Sequence, residues 1–183
     1  MLVSEMVDTA SPVQVTPSRP GPNDIAADVI AQALEYCARK CGLQDAQAAL
    51  VRLQEREPAA CQYCAYSIVQ HFARTVGEWD DYVQAVYVID YDATPDDLCF
   101  GCDGRTLPIH AIVWTARKTR ALDVLVAALD RALVKQYREL FGLEELEHML
   151  DVQVIDDADV RGRMGYGAML ASIHQQPIQV WSR

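Results

Sequence analysis

The stretch "VYVIDYDATPDDLCFGCDGRTLPIHAIVWT", residues 86–115, decides the fold, because two apolar runs flank a segment with no helical period. The first run, "YVQAVYVID", ends at Asp90, and the second, "PIHAIVWT", begins at Pro108. Both are β-branched and apolar at successive positions, as strands buried on both faces are. Between them, residues 93–108 hold two Pro, two Gly and two Cys. A parallel pair needs a crossover of about a dozen residues or more, and that crossover usually carries a helix. This connection lacks one, so the spacing predicts an antiparallel pair joined by a long loop.

Outward from that pair, the periodicity changes twice. Upstream, apolar residues recur at three- and four-residue steps in "DIAADVIAQALEYCARKC", "DAQAALVRLQER" and "AACQYCAYSIVQHFARTVG". These predict three helices, with Asn23 or Asp24 capping the first, Asp45 the second, Pro58 opening the third and Gly77 closing it. Downstream, "KTRALDVLVAALDRALVKQYRELFG" carries Leu122, Leu125, Val126, Leu129, Leu133, Tyr137 and Leu140 on one stripe, a long amphipathic helix. "LDVQVID" reads as a third strand, "GYGAMLASIHQ" as a closing helix, and "PIQVW" as a last strand whose leading Pro177 suits an edge.

The predicted class is therefore α+β, with three N-terminal helices followed by a β-β-α-β-α-β mixed sheet. Residues 1–22, rich in Pro, Ser, Thr and Val, read as an arm. Residues 23–78 form a helical region packed on an α+β core over 79–183.

Composition limits the function classes. A formal charge of −10 with scattered Lys and Arg argues against nucleic acid, whose phosphates demand clustered cations. No uncharged apolar stretch is long enough to span a bilayer, and the N-terminus shows no secretory pattern. Six cysteines in such a chain read as reduced thiols of a cytoplasmic protein.

The cysteines fall in pairs. Cys37 and Cys41 continue the apolar stripe of the first helix, while Cys61-x2-Cys64 opens the third helix and Cys99-x2-Cys102 forms a knuckle around Gly101. The last four, Cys61, Cys64, Cys99 and Cys102, have the chemistry of a structural four-thiolate zinc site. The competing reading is that buried cysteines pack as small hydrophobes. "RGRMGYG", residues 161–167, is either an anion cradle or a turn.

Two family resemblances add expectations. "VYVIDYDATP" resembles the first motif of haloacid dehalogenase-type phosphatases. The resemblance implies Asp90 as nucleophile and Asp92 as the group handling the leaving-group proton. It also implies Thr115 closing a second motif, and Asp156 with Asp157 as the acidic pair for magnesium. The element order over residues 80–183 resembles a small nucleotidyltransferase-like core. The residues after its strands, Ile89-Asp90-Tyr91 and Trp114-Thr115-Ala116, lack that family's Gly-Ser and Asp-x-Asp. This second resemblance implies a shared fold without the shared chemistry.

The sequence reading is then a non-catalytic binding or assembly protein, with self-association through an apolar helix face or the edge strand "PIQVW". The alternative is a magnesium-dependent phosphoryl-transfer enzyme built on Asp90, Asp92 and Asp156.

Overall fold

The computed structural model describes residues 19–89, 109–142, 144, 146–172 and 177–183. Most of the expected arm and the connection 90–108 lie outside the described residues. Helix α1 (Pro22–Lys40) starts earlier than the sequence suggested. Its cap is Gly21, not Asn23 or Asp24. Pro22 takes the first helical position, where its missing N–H costs nothing, and Asp24 Oδ2 accepts the Gly21 N–H at 3.2 Å. Helix α2 (Ala46–Gln54) has Asp45 as cap, its Oδ1 accepting the Ala48 N–H at 2.8 Å.

Helix α3 (Pro58–Trp79) opens on Pro58 but does not close at Gly77. Gly77 is needed for close approach instead: a Cβ there would sit 2.4 Å from the Trp181 ring. The glycine reads as a helix stop in sequence and acts as a socket in the fold.

The sheet follows as β1 (Val83–Val88), β2 (Ile109–Thr115), β3 (Leu150–Asp156) and β4 (Ile178–Ser182). Its order is β3-β2-β1-β4. β1 runs antiparallel to both β2 and β4, while β2 and β3 are parallel and are joined through helix α4 (Arg120–Phe141). The fold is α+β with a mixed sheet, and the first two strands pair in the expected sense.

One helix is corrected. In the described part of "GYGAMLASIHQ" the helix is the four-residue α6 (Tyr166–Met169), and a helix the sequence reading did not expect, α5 (Asp157–Gly162), precedes it. Asp156 caps α5, Arg163 ends it in the left-handed region at φ 50°, and Gly165 at φ 48° turns the chain into α6.

Alternation along the strands assigns the faces. Val83, Val86, Val88, Val113 and Leu150 join α1, α3 and α4 in the main core, around the fully buried Phe72, Ile68, Leu122, Leu129 and Leu133. Each such side chain contributes about 1.5–3 kcal/mol by leaving water. A smaller cluster on the opposite face buries Ile89, Ile112 and Ile155, with Trp114 of β2 and Val160, Tyr166 and Met169 of the α5–α6 side packed against them. Among the described residues, no helix is long and apolar enough to cross a membrane.

Candidate functional site

Of the carboxylates expected to act together, two are described: Asp156 ends β3 and Asp157 follows it. Antiparallel pairing sets Val88 opposite Ala111, and the Ile89 N–H donates to the His110 carbonyl at 3.0 Å. The chain thus leaves β1 beside the first residues of β2. Thr115 and its register partner Asp156 stand at the other end of β2, about 20 Å away at 3.3 Å per residue. Asp90 and Asp92 themselves lie outside the described residues.

Asp156 is occupied as a helix cap. Its Oδ1 accepts the N–H groups of Ala158 at 2.9 Å and Asp159 at 3.0 Å. Asp159 Oδ2 in turn accepts the Asp156 N–H at 3.1 Å and pairs with Lys118 Nζ at 2.6 Å. The Lys118 hydrogen bond, then the Asp156 N–H, hold the Asp159 carboxyl below its usual range. Asp157 Oδ1 accepts from Trp114 Nε1 at 2.9 Å and Gln84 Nε2 at 3.4 Å, and Thr115 Oγ1 donates to the Arg117 carbonyl at 3.0 Å. These groups finish strand ends and start a helix.

Of the cysteines, Cys61 is disulfide-bonded. This departs from an all-reduced set, and a disulfide sulfur offers no thiolate to a metal. Cys64 is a free, buried thiol, and burial pushes its titration upward. Cys37 donates to the Ala60 carbonyl at 3.5 Å, and burial, then Cys41, raises its pKa to about 12. Cys99 and Cys102 lie outside the described residues. Among the described residues, no group of three or more His, Cys, Asp or Glu side chains is placed to hold a metal. "RGRMGYG" becomes the end of α5 and the turn into α6, with Arg161 4.0 Å from Asp157.

The sheet places its most distinctive polar arrangement elsewhere, between α4 and the outer edge of β3. Among the described residues, β3 pairs with β2 alone. The Ile109 N–H donates to the Met149 carbonyl at 3.0 Å, which fixes the alternation of the parallel ladder. Asp151, Gln153 and Ile155 therefore turn their backbone groups toward β2. Leu150, Val152, Val154 and Asp156 turn theirs outward.

Both ends of that outward row are closed by carboxylates. At one end, Asp130 Oδ1 accepts the Met149 and Leu150 N–H groups, each at 3.0 Å, and its Oδ2 meets His148 Nδ1 at 2.8 Å. At the other, Asp159 takes the Asp156 N–H. What stays open is the Val152–Val154 stretch, facing a groove of about 640 Å³ lined by Asp123, Val126, Ala127 and Asp130 of α4.

Asp130 is buried, 6 % exposed, on the flank of an otherwise apolar stripe. The sequence reading did not single it out; its signal was an acid four residues after Val126 and three before Leu133. The Asp130 hydrogen bond, then its charge, raise the pKa of His148. His110 Nδ1 lies 3.0 Å from Asp151 Oδ2, a pair made by the parallel register and invisible in the linear spacing. Comparison with known proteins finds no family model, no curated protein and no solved structure that this chain matches.

Proposed function

We propose that the chain is a non-catalytic binding or assembly protein that receives an extended backbone at the outer edge of β3. One observation carries the reading: the outward backbone groups of Val152 and Val154 are unpaired among the described residues, between two carboxylate-closed ends. An open sheet edge is a template for a further strand, and strand addition draws its affinity from main-chain hydrogen bonds. The window admits a segment of about four residues, since each added residue pair advances about 6.6 Å along the edge.

Amide hydrogen exchange tests it. In dilute protein the Val152 and Val154 amides should exchange faster than those of Asp151, Gln153 and Ile155, and should become protected once the edge is occupied. Equal protection of both sets in a monomer would refute the open edge. The magnesium-dependent alternative is tested separately, by hydrolysis of p-nitrophenyl phosphate; turnover that disappears in Asp156→Asn would replace the binding reading.

A further inference from the structure

We infer that the occupant of the β3 edge is a basic extended peptide from another protein, presenting Lys or Arg beside a small apolar side chain. The inference rests on the open-edge reading above and adds the chemistry of the partner. Among the described residues lining the groove are three carboxylates, Asp123, Asp130 and Asp151, and no lysine or arginine.

Two of the three are already committed. Asp130 holds Met149, Leu150 and His148, and Asp151 holds His110 and the Gln153 Nε2 at 3.1 Å. Asp123 is exposed and makes no hydrogen bond or close ion pair among the described residues; its charge also acts on Lys118, but that ammonium is paired with Asp159 at 2.6 Å. It is the carboxylate left for a ligand's cation.

Its position along the groove fits. Asp130 marks the Leu150 end of the edge, and α4 runs back against β3. Seven residues of helix, about 10 Å, carry Asp123 toward Val154, which lies about 13 Å along β3 from Leu150. Ala127, small and exposed, stands one helical turn from Asp123. Four residues of helix advance about 6 Å. Alternate side chains of a strand are about 6.6 Å apart, so one residue of the ligand meets Ala127 and Val126 while the next on that face meets Asp123. A second copy of this chain is the poorer occupant, since each carries a formal charge of −10 and the groove is itself acidic.

The test is selection of a phage-displayed library of random linear dodecapeptides on the full chain, with the recovered sequences synthesised and titrated by fluorescence anisotropy. The expected result is enrichment of strand-forming sequences with Lys or Arg two residues from Ala, Ser or Val. Their affinity should fall at least tenfold in Val152→Pro, which removes an outward N–H without touching the β2 ladder, and at least tenfold in Asp123→Lys. Asp123→Lys changes an exposed helical residue, so loss there is not loss of fold; circular dichroism checks Val152→Pro. No enrichment, or binding indifferent to Val152→Pro, overturns the edge and the partner together. Binding lost in Val152→Pro but unchanged in Asp123→Lys overturns the basic partner and leaves the edge. Concentration-dependent dimers that occlude the peptide overturn it in favour of a second copy.

Discussion

Strand β4 is fastened through side chains, whereas β3 at the opposite edge is trimmed by carboxylates. On β4, the Trp181 ring occupies the Gly77 socket, Arg183 Nη2 donates to the Gly77 carbonyl at 2.9 Å, and Nη1 donates to the Asp81 carbonyl at 2.7 Å. On β3, Asp130 and Asp159 take backbone donors at the two ends, and among the described residues the middle is unpaired. The first device anchors a strand to a helix. The second limits where a new strand can attach, which is how an exposed edge stays selective. The same sheet thus has one edge fastened to a helix and one that, in the reading proposed above, receives a partner.

The sharpest way to break the contrast is Asp130→Ala. Two buried N–H groups lose their acceptor, at about 1–3 kcal/mol each, so unfolding in urea should show a loss of about 3 kcal/mol. Asp130→Asn keeps an oxygen for Met149 and Leu150 and should lose about 1 kcal/mol. Equal losses for the two variants would assign the effect to the His148 pair instead of the strand edge.

Gly77→Ala tests the other edge. The added methyl meets the Trp181 ring, and overpacking of this kind costs about 2 kcal/mol. The double variant with Trp181→Leu should recover part of that loss, a coupling that a double-mutant cycle measures directly. Arg183→Ala should cost about 1 kcal/mol, read as a lowered thermal midpoint.

The smallest effect is His148→Gln, at most about 0.5 kcal/mol because the imidazole is largely exposed and screened. Its sign is definite. His148 has a folded pKa raised above the ordinary 6.5, so its stabilisation is present below 6.5 and is lost as pH rises through the raised value. Wild type and His148→Gln should therefore differ in urea midpoint at mildly acidic pH and converge at alkaline pH. His71, whose pKa is lowered by burial, acts in the opposite sense and weakens the fold as pH falls.

The architecture was legible where one physical cause dominates. The unhelical connection after Asp90 implied the antiparallel β1–β2 pair, and the stripe from Leu122 to Tyr137 implied α4. The "DDAD" run, Asp156–Asp159, carried a reciprocal capping signal that was read only as an acidic pair. The groove was not legible. Its parts come from α4 and β3, whose proximity depends on the sheet order, and its open window depends on which way each peptide unit points. Gly77 misled because a socket and a helix stop use the same residue.

The Gly77–Trp181 contact has a kinetic consequence. β1 lies between β2 and β4, and β4 is joined to α3 by contacts more than a hundred residues apart in sequence, as with Arg183 and Gly77. Closing so long a stretch is entropically slow compared with winding the helices. The last step of refolding should then be the arrival of β4, and until it occurs the β4-facing edge of β1 stands open to pairing with another chain.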